Sequence, residues 1–176
     1  MTDCSLCQQI KNQHNIIFED DTTIAMLAPK PAIIGHVIVA PKEHFTILEM
    51  VPDWIVSDLF TAANTISTAI FEGLKASGTN ILVQNGIPAG QQQPHVSISI
   101  IPRKEGDNLP LSWQPKQITT QELTELETKL KDEAKYIGAF ASTKPTPLEE
   151  TKPEIKETAQ QEIEEDYQLR QLGRIP

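Results

Sequence analysis

The spacing of apolar residues over the first hundred positions predicts a mixture of strands and helices. Runs rich in β-branched residues predict five strands, at residues 16–21, 22–28, 36–41, 79–86 and 94–103. Apolar residues at helical spacing predict a long helix over residues 53–75, and a helix of about ten residues follows the N-terminal cysteines. Strands joined by hairpins around one long helix indicate an α+β domain, an antiparallel sheet with the helix on one face.

The last predicted strand carries a row of polar side chains. Alternation within residues 94–103 places His95, Ser97 and Ser99 on one face and apolar residues on the other. Neighbours in such a row are spaced roughly 6 to 7 Å apart. One histidine followed by two hydroxyls marks this face as a candidate site.

The chain changes character after residue 103. Residues 118–140 predict an amphipathic helix with a capping box at Thr119 and Glu122. Its apolar stripe, which we interpret as a packing face, consists of Leu123, Leu126, Leu130 and Ile137. We expect one domain over residues 1–140, with the C-terminal helix included.

The C-terminal segment divides into two parts by composition. Residues 141–166 are rich in Pro, Glu, Thr and Lys, which predicts a disordered acidic linker. Residues 167–176 regain apolar content beside two arginines. They are either a docking peptide for a protein partner or a weakly structured tail, and the apolar positions are Tyr167, Leu169, Leu172 and Ile175.

Charge narrows the range of partners. The net charge of −9 and the pI of about 4.9 argue against nucleic acid and anionic membranes, because an acidic surface repels both. The N-terminus has no secretory signal pattern, and no run approaches the roughly 20 apolar residues of a membrane span. We therefore expect a soluble, cytoplasmic protein.

The two cysteines form one C-x-x-C motif at the N-terminus. Cys4 and Cys7 supply two thiolates at one corner, and a tetrahedral zinc site needs two further donors, for which His44 and His95 are available. The spacing alone cannot bring residues so far apart in the sequence together. A thioredoxin-like redox role is disfavoured, because the motif opens the chain instead of lying at a strand-to-helix turn.

Three segments together resemble one protein family. GHVIVAPKEH at 35–44, TNILVQNGIPAGQQQPHVSISIIPR at 79–103 and GDNLPLSW at 106–113 occur in the order typical of the histidine-triad (HIT) family of nucleotide hydrolases and transferases. The resemblance implies a HIT-like fold over residues 1–140 and a homodimer that pairs through the long helix. In the zinc-bearing branch of that family the ligands correspond to Cys4, Cys7, His44 and His95, so a structural zinc ion is implied.

The chain departs from the family pattern where the chemistry occurs. The family's nucleophilic middle histidine corresponds to Ser97, the third histidine to Ser99, and an acidic or amide ribose anchor to Ala28. A serine needs a general base, which imidazole does not, and His36 is a candidate for that role. Four residues remain at the family's phosphate and nucleoside positions, although they equally fit a tight turn: Asn85, Gly86, Gly90 and Gln91.

Three functions follow from this pattern. The degenerate triad favours a zinc-stabilised, non-catalytic HIT protein that binds a macromolecular partner. The first alternative is a divergent nucleotide hydrolase or phosphoramidase with another nucleophile. The second is a purine nucleotide sensor that binds without cleaving.

Overall fold

The computed structural model describes residues 4–135. The elements follow the predicted order and are α1 Ser5–Asn12, β1 Ile16–Glu19, β2 Thr23–Leu27, β3 Val37–Pro41, α2 Asp53–Leu74, β4 Gly78–Val83, β5 Ile98–Arg103 and α3 Thr120–Ala134. Two short 3-10 helices, Leu48–Met50 and Ile87–Ala89, interrupt the loops. The predicted linker at 141–166 and the predicted docking peptide at 167–176 lie outside the described residues.

The five strands form one antiparallel sheet in the order β1-β2-β3-β5-β4. The hairpin between β1 and β2 is closed by Asp20, whose Oδ1 accepts the N–H groups of Thr22 and Thr23 at 2.9 and 2.6 Å. In the centre, Ile38 of β3 lies opposite Ser99 of β5. The α+β fold class predicted from the sequence is confirmed.

The long helix α2 covers one face of this sheet. It buries residues such as Ile55, Leu59 and Ile66 against strand residues that include Val39 and Ile98. Because these positions recur at helical spacing, the predicted range of 53–75 differs from the observed helix by only one residue. The helix ends where Lys75 adopts a left-handed conformation with φ of 53°.

The short helix α1 covers part of the opposite face. Leu6 is buried there together with Ile24 and Met26 of β2 and Ile38 of β3. Because side chains alternate along a strand, Ser99 lies on this second face with Ile38. The N-terminal motif and the polar row therefore share one side of the sheet.

Strand β5 begins later than predicted. The sequence suggests a strand from residue 94, but the paired strand starts at Ile98. Pro94 has no N–H group for the ladder, and the N–H of Val96 bonds to the Phe45 carbonyl at 2.8 Å instead of continuing the strand pairing. His95 therefore lies ahead of the paired strand, where its ring contacts the thiols on the α1 side of the sheet, while Val96 belongs to the core cluster of Ile98 and Ile100 on the α2 side.

Residues 4–107 form one compact unit, and residues 108–135 belong to a second. In the second unit the predicted capping box is present, with the Thr119 and Glu122 side chains each bonded to the other residue's backbone N–H. The stripe of Leu123, Leu126 and Leu130 exists on α3, but residues 4–135 do not bury it, and Ile137 lies outside the described residues. Within that described range no helix combines the length and the apolar character needed to cross a bilayer.

Candidate functional site

Four side chains that are distant in sequence meet at one end of the sheet. Cys4 is the N-cap of α1 and Cys7 lies in its first turn, while His44 follows β3 and His95 precedes β5. Because β3 and β5 are antiparallel neighbours, the end of one meets the start of the other, and this brings the two histidines together. The ligand atoms of the four residues all lie within 4.8 Å of one another.

The distances in this cluster suit a tetrahedral metal ion. His95 Nδ1 lies 3.6 Å from Cys4 Sγ and 3.3 Å from Cys7 Sγ, and His44 Nδ1 lies 3.2 Å from Cys7 Sγ. A zinc ion bound to sulfur at about 2.3 Å and nitrogen at about 2.1 Å would hold such ligands roughly 3.5 Å apart. The predicted ligand set is therefore assembled, and these residues could hold a metal ion.

The orientation of His95 is set by a backbone carbonyl. The side chain is 2% exposed, and its Nε2 donates to the Pro41 oxygen at 3.0 Å, which leaves the Nδ1 lone pair directed at the thiols. Burial lowers the pKa of His95, so its neutral, ligating form is favoured. Sequence reasoning missed the Pro41 carbonyl, since no side-chain pattern reports where a backbone oxygen points.

Burial disfavours the metal-binding form of Cys7, whereas it favours the metal-binding form of His95. Burial, followed by its interaction with Cys4, raises the pKa of Cys7 and so disfavours the thiolate. A bound cation would reverse this effect, because it stabilises a coordinated thiolate directly.

The rings of His44 and His95 meet edge to face with centroids 5.1 Å apart, which fixes the geometry of the two nitrogen donors.

His36 does not form a dyad with Ser97. It is 9% exposed, its Nδ1 accepts the Ala32 N–H at 3.1 Å, and its Nε2 has no hydrogen-bond partner among the described residues. Because Val37 is opposite Ile100, His36 lies beside Ile101, and Ser97 is about 13 Å further along the strand direction. Burial lowers the pKa of His36 and keeps the imidazole neutral.

The two serines remain partly accessible on the face shared with α1. Ser99 lies between Ile38 of β3 and Leu82 of β4, and Ser97 directly precedes β5. Ala28 borders this face, and its N–H bonds to the His36 carbonyl at 2.9 Å. The positions singled out by the sequence therefore share one region, but its side chains are hydroxyls and a methyl group.

The loop after β4 uses its amide side chains to hold itself together. Asn85 Oδ1 accepts the Leu48 N–H at 3.2 Å. Gln91 Oε1 accepts the Gly86 N–H at 2.7 Å, and Gln91 Nε2 donates to the Thr46 oxygen at 2.7 Å. These bonds support the tight-turn interpretation of this loop.

Two glycines in this loop are required by its backbone. Gly86 and Gly90 have φ of +84° and +90°, a region that side-chain-bearing residues rarely adopt. At Gly90 an added Cβ would also lie 2.4 Å from Gln84 Nε2, which donates to the Ala89 carbonyl. All four candidate nucleotide-binding residues thus have a structural role in shaping the turn.

Comparison with known proteins identifies the domain type. The family model described as "HIT domain" matches residues 9–106. Adenylylsulfatase HINT3 of Arabidopsis thaliana is 37% identical over 109 residues, covering 61% of this chain and 55% of that protein. Adenosine 5'-monophosphoramidase HNT1 of Candida albicans is 28% identical over 137 residues, covering 74% of this chain and 90% of that protein.

Solved structures agree with this result. A HIT family protein from Bacillus subtilis has a TM-score of 0.69 and 26% identity, covering 81% of this chain and 100% of its own. A zinc-bound histidine triad protein from Mycobacterium smegmatis has a TM-score of 0.58 and 27% identity, covering 74% and 97%. The chain spans about half the length of some of the curated relatives that it matches, with 55% and 50% for two of them.

Proposed function

Because this chain belongs to the histidine triad (HIT) family, we propose that it is a zinc-stabilised, non-catalytic member that acts by binding a macromolecular partner. The family's nucleophile is a histidine imidazole, and this chain has Ser97 at the corresponding position. The hydroxyl there cannot attack a phosphate without a general base. The function therefore depends on whether any base is within reach.

The observation that carries the proposal is that His36 lies far from Ser97 and that both ring nitrogens of His95 are already engaged. His36 is offset by about 13 Å along the strand direction. His95 is buried, and its two nitrogens face the Pro41 carbonyl and the thiols. A general base has to lie within hydrogen-bond reach of the proton that it removes, and neither imidazole meets that condition.

Zinc is the metal that fits the cluster at the N-terminus. Two sulfur and two nitrogen donors in a four-ligand, partly buried set are typical of structural zinc. The zinc-bound relative from Mycobacterium smegmatis supports the same assignment. A reducing compartment such as the cytoplasm would keep both thiols available as ligands.

A divergent hydrolase is the second candidate, and the relatives favour it. The matched proteins include an adenylylsulfatase, an asymmetrical bis(5'-nucleosyl)-tetraphosphatase and a bis(5'-adenosyl)-triphosphatase. Such an enzyme would need a nucleophile other than imidazole at the position of Ser97. A purine nucleotide sensor is the third candidate.

Two measurements on the purified full chain separate these functions. We expect no turnover of adenosine phosphoramidate or a dinucleoside polyphosphate above background, and no heat of binding with adenosine or guanosine monophosphate at millimolar ligand. Turnover that Ser97→Ala abolishes would establish a serine-based hydrolase and refute the proposal. Saturable binding without turnover would establish the sensor.

A restored triad provides the matched control. Ser97→His alone should not give full activity, because residues that act as a unit contribute non-additively. The combined change of Ser97→His, Ser99→His and Ala28→Asp replaces the nucleophile, its neighbour and the ribose anchor together. Activity in this variant, but not in the parent chain, would show that the fold is competent and the side chains are missing.

We further propose that the protein is a homodimer and that its C-terminal segment, residues 142–176, contacts the macromolecular partner. The exposed Phe60 on α2 and Ile81 on β4 offer apolar surface for pairing two copies. Light scattering should give twice the chain mass, and a monomer mass at micromolar concentration would contradict the dimer. Pull-downs with and without residues 142–176 should differ in captured protein if the segment is the docking element.

A further inference from the structure

The two thiols of the metal cluster differ in accessibility. Cys4 is fully buried, whereas Cys7 is only half-buried and both are free cysteines. Their ligand atoms face the same cluster within 4.8 Å, and the two residues are one helical turn apart at the start of α1. An oxidant from solvent would therefore react with Cys7 first. The Cys4 thiol lies close enough to reach the Cys7 sulfur after a side-chain rotation.

Besides this cluster, helix α1 is attached among the described residues through the apolar contacts of Leu6 and the partly buried Ile10. It has 8 residues, and Leu6 is its only buried one. An isolated helix shorter than about 12–15 residues is marginal in water. Its N-cap residue, Cys4, makes no side-chain capping hydrogen bond. The metal cluster is therefore the main link between the start of α1 and the ends of β3 and β5.

We propose that Cys4 and Cys7 form a peroxide-sensitive switch, in which oxidation to a disulfide expels the zinc ion and releases α1 from the sheet. This inference rests on the proposed zinc site but not on the absence of catalysis. The zinc holds both thiols reduced and α1 docked under reducing conditions. The oxidant is a peroxide, which accepts two electrons as its O–O bond breaks.

The chemistry balances with one peroxide molecule. The sulfur of Cys7 attacks a peroxide oxygen, the O–O bond breaks, and Cys7 becomes a sulfenic acid with release of hydroxide. The sulfur of Cys4 then attacks the Cys7 sulfur, forming the S–S bond and releasing a second hydroxide. The two thiolates lose two electrons in total, which peroxide accepts, and two protons from solvent convert the hydroxides to water.

Loss of the ion follows from the donor count. A disulfide is a poor zinc ligand, because the metal binds thiolate. Only His44 and His95 remain, and two neutral imidazoles do not complete a tetrahedral site. Without the ion, the described contacts that remain for α1 are the apolar ones of Leu6 and the partly buried Ile10, and its undocking exposes the sheet face that contains Ile24, Met26 and Ile38.

The test uses the full chain purified with zinc and without chelator. After metal analysis, hydrogen peroxide is added and zinc release is followed with a chromogenic zinc indicator. In parallel, alkylation and mass spectrometry detect the loss of about 2 Da that marks a disulfide in the Cys4–Cys7 peptide. Hydrogen exchange over residues 5–12 should become at least about tenfold faster as α1 is released.

A matched variant separates thiol oxidation from general damage. Cys7→Asp replaces a thiolate with a carboxylate, which also ligates zinc, but it cannot form a disulfide. We expect it to keep zinc under the peroxide dose that empties the parent chain. In the parent chain, a dithiol reductant with added zinc should reverse the mass change and restore slow exchange, a readout that does not depend on how the variant folds.

The outcomes distinguish this inference from the proposed function. A chain that contains zinc and keeps it while peroxide oxidises other residues overturns the switch and leaves the zinc proposal intact. Zinc release without a Cys4–Cys7 disulfide, or release from Cys7→Asp at the parental rate, also overturns it. A chain with no zinc after purification overturns both the switch and the zinc proposal, whereas the nucleotide measurements are unaffected by any of these results.

Discussion

Replacement of His95 by alanine tests the metal centre most directly. His95→Ala removes one of four ligands and also leaves the Pro41 carbonyl without its donor, which lies 3.0 Å away in the native chain. The side chain is 2% exposed, so the truncation leaves a polar carbonyl in a buried position. His14→Ala is the matched control, because His14 is exposed and outside the cluster.

The expected loss has two parts. An unsatisfied buried acceptor costs about 1–3 kcal/mol. Zinc bound to the native state at a free concentration of 100 times its Kd contributes about 2.7 kcal/mol, which the variant loses. The sum is about 4–6 kcal/mol, which for a unit of this size lowers Tm by at least about 15 °C.

Chemical unfolding with and without chelator separates the two parts. With zinc present, the free energy of unfolding of His95→Ala should be lower than that of the parent chain by the full sum. In excess chelator this difference should shrink to about 1–3 kcal/mol. His14→Ala should follow the parent chain in both conditions. An equal zinc content in His95→Ala, or a parent chain whose stability ignores the chelator, would refute the reasoning.

Three further outcomes are expected. Burial lowers the pKa of His36 below its usual 6.5, so the unfolded chain binds the proton first. Its contribution to the free energy of unfolding is therefore complete above about pH 6.5 and declines by up to about 1.4 kcal/mol per pH unit as the pH falls from there through the folded pKa. In unfolding measured as a function of pH, His36→Asn should lack this decline, and an unchanged slope in the variant would contradict the argument. Gly90→Ala should destabilise by about 1–3 kcal/mol, since φ is +90°, which side-chain-bearing residues rarely adopt, and the added Cβ would displace the Gln84 amide from its bond to the Ala89 carbonyl. Gly73→Ala, in helix α2 with nothing within 4 Å, should instead stabilise by about 0.5–1 kcal/mol, and equal effects of the two changes would contradict the argument. Thr119→Ala should cost α3 about 1 kcal/mol of helix stability, because the capping box is lost, and unchanged far-ultraviolet circular dichroism on heating would contradict this.

Local patterns in the sequence were sufficient to predict the elements and their order. Periodicities of two and of 3.6 residues are local properties of the chain, so helix α2 was predicted to within one residue and all strands were found. The capping box of α3 was equally visible, because Thr119 and Glu122 are three residues apart. The four metal-ligating candidates could be named because the C-x-x-C motif supplies two thiolates and the resemblance to the HIT family implied His44 and His95 as the other two donors.

Which of these residues meet became known from the folded structure. Cys7 and His95 are 88 residues apart in sequence, and antiparallel pairing of β3 with β5 is what brings the cluster together. The same register placed His36 far from Ser97, although sequence reasoning had allowed them to form a dyad. Pairing register and backbone direction depend on contacts between distant segments, which local periodicity does not encode. For the same reason the Pro41 carbonyl, which orients His95, could not be found until the fold was known.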